Sequence, residues 1–200
     1  NDKKKVVFVQ VSKYVNTPME VSHGGGIFRS LTVEYDSPDD KALQKLNADI
    51  MKAFGMNYSA THTEFIKCHE DGQFYFLETA SRVGGAHLAE MVEFATGVGM
   101  WKEWAKVESH SASGSDYKIP KKDKSYSGII ISLSKYEHPD YSDFDEPEVV
   151  WKLDMEYHIG VIVKSKNHKR IEELLEKYAN IIKDEFHASG PLKSVKHKNS

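Results

Sequence analysis

Two glutamates, an arginine and a pair of glycines fall within 22 residues of each other, Glu64, Glu78, Arg82, Gly84 and Gly85. They lie in the stretch SATHTEFIKCHEDGQFYFLETASRVGG, residues 59–85, which reads as a β-hairpin. Residues 61–68 form one strand, Glu70-Asp71-Gly72 the turn, and residues 73–80 the second strand. A three-residue loop with glycine in the left-handed position is a standard hairpin connection. It pairs His69 with Gln73, Ile66 with Phe76 and Glu64 with Glu78. Opposed residues share a face, with Cβ atoms about 5 Å apart. Two carboxylates placed there repel, so something must offset them: a shared proton, a basic side chain or a divalent cation. The same face runs on through Ala80 to Arg82, and Gly84-Gly85 lead into a helix from about residue 87. That grouping suits Mg²⁺ and phosphate oxygens. A plainer reading stands beside it, a hairpin whose glutamates simply face water.

The motifs HTEFI, FYFLETASRVGG and EMVEFATGV resemble the C-terminal half of an ATP-grasp domain. That family joins a carboxylate to a nucleophile, usually an amine, through an acyl-phosphate. Its signature is a glutamate on one strand and Glu-x-Asn-x-Arg on the next. The resemblance implies that Glu64 and Glu78 hold Mg²⁺ (or Mn²⁺) bridging the phosphates of ATP. It implies that Arg82 contacts phosphate or the acyl-phosphate, beside Gly84 and Gly85. The family's asparagine falls at Ala80, and Glu-x-Ala-x-Arg is similar to bacterial amino-acid (dipeptide) ligases. Upstream, VSKYVNTP, HGGGIF and the segment down to Phe54 resemble the strand and loop before the hairpin in relatives of biotin carboxylase and carbamoyl-phosphate synthase. In such relatives this loop lies near the reacting phosphate, which makes His23 and Arg29 candidate substrate or γ-phosphate contacts. A flexible turn with a surface histidine is the alternative there, because a glycine run without the Walker lysine and serine is a weak phosphate signal.

The elements that must position these residues follow from pattern. Residues 6–11, VVFVQV, read as a buried strand by length and β-branched content, and residues 28–35 as another. Ser37 is an N-cap with Pro38 at the first helical position and two aspartates behind it. Leu43, Leu46, Ile50, Ala53 and Phe54 keep a helical stripe that reads as core, with Gly55 closing the helix. This helix would brace the back of the hairpin, with Phe74 and Phe76 packed under the sheet. His62 shares the face of Glu64 and could orient a metal-bound carboxylate or serve as a hydrogen-bonded structural histidine. Residues 87–96 and 100–107 read as helices, with Trp101 and Trp104 as packing anchors. Residues 108–125 read as a polar loop. Strands at 126–133, 148–153 and 157–164 and a helix at 167–186 make a small α+β lobe. The fold class is α+β, an antiparallel sheet with flanking helices. Residues 1–107 are expected as the metal-binding half of an ATP-grasp domain and 126–200 as a C-terminal lobe. His138, His158 and His168 lack zinc-ligand spacing and are assigned no metal.

Composition narrows the class. A net charge of −3 over 200 residues gives no electrostatic case for nucleic acid. The single cysteine, Cys68, excludes an internal disulfide and fits a reducing cytoplasm. No apolar run approaches a membrane span, and no signal peptide is visible. The chain starts without methionine, and the nucleotide lysines and phosphate-covering loop of a whole ATP-grasp enzyme are not in it. It therefore reads as a fragment, inactive alone and completed by an N-terminal part of the same protein. Its expected partners are ATP and a small carboxylate, with a homodimer possible. Three functions compete: half of a carboxylate–amine ligase, half of a bicarbonate-using enzyme, and a non-catalytic binding module.

Overall fold

The computed structural model describes residues 1–15 and 26–188. Along the chain run β1 (Ser12–Tyr14), β2 (Phe28–Thr32), α1 (Pro38–Ala53), β3 (His62–Lys67), β4 (Phe74–Ala80), α2 (Leu88–Thr96), α3 (Met100–Ser113), β5 (Tyr126–Leu133), β6 (Val149–Lys152), β7 (His158–Ser165) and α4 (His168–Ile181). A π turn, Ile182–Phe186, continues α4. The fold is α+β, as the pattern implies. Five strands form one antiparallel sheet in the order β1-β2-β5-β7-β6, and β3 and β4 form a separate hairpin. β2 pairs with β5, so the large sheet draws strands from both sides of segment 108–125.

The central strands are apolar on both faces because both faces are covered. On one side Ile129 of β5 and Ile162 of β7 meet Leu88 and Met91 of α2. On the other side Leu31, Ile130, Val161 and Val163 meet Ile171, Leu174, Leu175 and Tyr178 of α4. Contact with α4 is close enough to require glycine in β5. A Cβ on Gly128 would stand 2.7 Å from Ile171 Cγ2 and 2.8 Å from Leu175 Cδ1. The α4 N-cap is Asn167, whose side chain accepts from the Lys169 N–H, as Ser37 accepts from Asp40 in α1.

Three sequence expectations change. Residues 6–11 form no strand. Their composition suits a strand, but a strand needs a partner, and this segment leaves the sheet beyond the edge strand β1. The last link there is the Val33 N–H to the Val11 carbonyl, at 3.0 Å. The helix expected at 100–107 runs on to Ser113 and stops at Gly114 in the left-handed conformation (φ 70°). Trp104 of that helix packs on a small cluster with Ala60, Val83 and Ala89, whereas Trp101 is exposed. Finally, the α1 stripe is not core. Leu43, Leu46 and Ile50 are half-buried, Ala53 and Phe54 are exposed, and Met51 is the buried apolar side chain. Neither sheet-face cluster includes α1, because α2 and α4 already fill both faces.

Filling the gap at Gly128 overpacks the α4 interface. Gly128→Val is expected to lower stability by about 1–3 kcal/mol, read as a fall in the urea midpoint with an unchanged slope.

Candidate metal and phosphate site

The hairpin places its acids by a route that pattern alone does not give. Its turn has four residues, His69–Gly72, not three. Cys68 donates its N–H to the Gln73 carbonyl at 2.9 Å, and Gly72 donates back to the Cys68 carbonyl at 3.0 Å. Gly72 is left-handed (φ 68°). The longer turn shifts pairing by one at the tip, so Ile66 faces Tyr75 and Phe65 faces Phe76. The expected Ile66–Phe76 pair is thus absent. Left uncorrected, the slip would set Glu64 opposite Leu77 and put the two acids on different faces. A β-bulge at Leu77 absorbs the extra residue. Beyond it Glu64 faces Glu78, Thr63 faces Thr79 and His62 faces Ala80.

The restored register is pinned on the far face. The Thr63 and Thr79 hydroxyls meet at 2.9 Å, and Thr79 also donates to the His62 carbonyl at 3.3 Å. At the tip, the Lys67 ammonium binds Asp39 of α1 at 2.7 Å. At the other end of α1, the rings of Phe54 and Phe76 lie 6.1 Å apart. So α1 does brace the hairpin, through its two ends. Phe76 is not packed under a sheet; 44% of it is exposed.

Glu64 is half-buried and Glu78 exposed. Tyr14, at the end of β1, donates its hydroxyl to Glu64 Oε1 at 2.8 Å. Burial first, and the bond to Glu64 second, push the Tyr14 phenol well above its ordinary value, so it stays a neutral donor. Among the described residues neither glutamate forms an ion pair. His62 does not supply the missing charge. Burial holds it below its ordinary value of 6.5, against the upward pull of Glu64 and with a further downward push from Arg82. Its ring lies against the glycine turn, 3.3 Å from where a Cβ on Gly84 would stand.

Arg82 follows the strand end. Its side chain is exposed, and its Nη1 donates to the Val83 carbonyl at 3.1 Å. That nitrogen lies 3.9 Å from the position of a Cβ on Gly85. The chain then enters α2 through two left-handed non-glycine residues, Ala86 (φ 49°) and His87 (φ 57°). Such residues cost on the order of 1–3 kcal/mol and cluster at ligand sites. His87 is held by the Trp151 ring of β6, 4.7 Å away, which ties the turn to the large sheet.

The structure therefore brings Glu64, Glu78, Arg82, Gly84 and Gly85 together with His62. It does not bring Arg29 to them. Arg29 points to the α4 face of the sheet, where it donates to Glu176 at 2.8 Å, whereas Tyr14 and Phe28 occupy the α2 face. The reason is strand parity: Arg29 pairs with Ile130, whose side chain faces α4. His23 lies outside the described residues. Tyr14 is the member that sequence reasoning missed; it stands 50 residues before Glu64 and only the folded sheet joins them. A second grouping, the exposed Glu137, His138 and Glu156, has ligand atoms within 4.8 Å of one another.

The donor set at the hairpin fits a hard divalent cation. It consists of opposed carboxylate oxygens, uncompensated by any ion pair among the described residues, and Mg²⁺ and Mn²⁺ take such ligands. Hairpin, glycine turn, helix and flanking sheet together define the fold of an ATP-grasp C-terminal subdomain. The chain is similar to phosphoribosylglycinamide synthetase from Anaerococcus prevotii, with a TM-score of 0.57 and 18% identity over 90% of this chain and 49% of that one. It is similar to L-amino acid ligase from Bacillus licheniformis, with a TM-score of 0.57 and 17% identity over 84% of this chain and 44% of that one. The biotin carboxylase domain of a single-chain bacterial carboxylase aligns at a TM-score of 0.50 and 14% identity, over 81% and 41%. The chain spans less than half the length of each of these structures. No family model matches it, and no curated protein matches its sequence. No helix among the described residues is long and apolar enough to cross a membrane.

The depressed His62 has a sign that can be checked. The unfolded chain takes up this proton near pH 6.5, before the native state does. Stability from this group is therefore present above that pH and falls as pH drops from it toward the lower native value. The urea midpoint of wild type is expected to fall more steeply over that interval than that of His62→Gln.

Proposed function

We propose that this chain is the metal- and phosphate-binding half of an ATP-dependent ligase that joins a carboxylate to an amine through an acyl-phosphate. The observation that carries the reading is the opposed Glu64–Glu78 pair, next to Arg82 and the glycine turn, on a fold shared with ligases. Glu64 and Glu78 would hold the cation, and their alignment on one face fixes where its charge sits. A bound Mg²⁺ or Mn²⁺ would supply neutralisation of the triphosphate and orientation of the transferred group. Arg82, exposed at the strand end, would bind the equatorial phosphate oxygens and the acyl-phosphate. The Gly84–Gly85 backbone leaves room for a phosphate to come close to the start of α2. ATP and a small carboxylate are the partners that this requires. The cytoplasm is the compartment that fits a free Cys68.

A bicarbonate-using enzyme is the competing reading, supported by the likeness to a biotin carboxylase domain. Ala80 favours the amine ligase, because the resemblance puts asparagine there in the bicarbonate enzymes. On its own the chain is expected to turn over no ATP, since its activity would need the nucleotide-binding half.

The deciding assay is phosphate release from ATP by the protein that contains this chain, with amino-acid pairs or bicarbonate as substrates. Release that depends on amino acids, and falls about 100-fold or more in Glu78→Gln, supports the ligase; that loss is about 2.7 kcal/mol of transition-state stabilisation. Release that depends on bicarbonate moves the assignment to the competitor. An unaffected Glu78→Gln overturns the role given to the pair.

A further inference from the structure

Glu64 and Glu78 match in register but not in surroundings. Glu64 Oε1 accepts from the Tyr14 hydroxyl at 2.8 Å. Glu78 is exposed and, among the described residues, accepts from nothing. Tyr14 is itself held in place: its ring stands 5.7 Å from that of Phe28 and packs on the cluster around Leu88 and Met91. A donor fixed by the large sheet thus reaches across to a ligand on the separate hairpin and fixes its rotamer.

We infer that Tyr14 is a positioning residue that sets the metal selectivity of the site, by engaging Glu64 Oε1 and leaving Oε2 as the ligand atom. The inference rests on the reading of Glu64 and Glu78 as metal ligands. Ca²⁺ takes six to eight oxygens at about 2.3–2.6 Å and readily uses both oxygens of one carboxylate. Mg²⁺ demands an octahedron at about 2.0–2.1 Å and takes carboxylates through single oxygens, beside water. Mn²⁺ shares that octahedral oxygen preference. A carboxylate with one oxygen tied to a fixed hydroxyl offers the single-oxygen geometry and resists the chelating one. Glu78, unrestrained, is left to adjust to the ion. Outer hydrogen bonds of this kind alter metal affinity by about 10–100-fold.

The test is Mn²⁺ binding to the whole chain, followed by the electron paramagnetic resonance of free Mn²⁺, with Mg²⁺ and Ca²⁺ as competitors. Wild type, Tyr14→Phe, Glu64→Gln and Glu78→Gln are compared, with near-ultraviolet circular dichroism reporting the fold. Wild type is expected to favour Mn²⁺ over Ca²⁺ by about 10-fold or more. Tyr14→Phe, with its ring still against Phe28, is expected to bind Mn²⁺ about 10-fold more weakly and to narrow the Mn²⁺-to-Ca²⁺ ratio. A purely structural tyrosine would leave that ratio alone. If Tyr14→Phe keeps affinity and ratio while both glutamine variants lose binding, the role of Tyr14 is overturned and the metal site stands. If the glutamine variants bind like wild type, or wild type binds no metal, the metal reading falls and the inference with it. Equal wild-type affinity for Ca²⁺ and Mn²⁺ overturns the inference without recourse to any variant.

Discussion

The repulsion between Glu64 and Glu78 is the constraint around which the site is built. Like charges directly opposed on one face of a ladder destabilise it. The hairpin holds them opposed in spite of that. The threonine pair on the far face, the Lys67–Asp39 bridge and the Phe54–Phe76 contact all resist the slip that would separate them. Arg82 is the nearby cation, but its Nη1 donates to the Val83 carbonyl and, among the described residues, it forms no ion pair with either acid. His62 is driven toward neutrality by burial, and Tyr14 brings a hydroxyl dipole rather than a cation. The hairpin thus keeps both carboxylates on one face, open to the cation proposed above.

The large sheet contributes by being rigid. Its middle strands are sealed between α2 and α4, so its edges are fixed points. One edge presents Tyr14 to the hairpin. The other, through Trp151, grips His87 at the head of α2. The glycine turn lies between these two anchors. The site is therefore assembled from a short hairpin with little core of its own and a sheet that supplies the missing stiffness.

Much of this is local and could be read from spacing. The pairing of Glu64 with Glu78, the arginine four residues on and the glycines before a helix all fall within one segment. The central strands, with apolar runs such as GIII and GVIV, declared themselves in the same way. The hairpin tip did not. A three-residue turn without a bulge and a four-residue turn with one give the same pairing at the acids, so the right pair came from the wrong tip. What depends on long-range packing was illegible. Nothing near Tyr14 announces Glu64, and nothing near Arg29 announces Glu176 on α4. The α1 stripe looked like core because periodicity records amphipathicity, not which of several helices wins a place on the sheet.

The turn and the bulge are in effect one unit, separated by the length of a strand. Each shifts the parity of the ladder by one, and only their sum leaves the acids on a common face. Neither Gly72 nor Leu77 is among the proposed site residues, yet together they decide whether Glu64 and Glu78 share a face. In a lineage of such hairpins, loss of a turn residue and loss of the bulge would have to travel together. An intermediate carrying one change alone would fold much the same hairpin with its chemistry turned inside out.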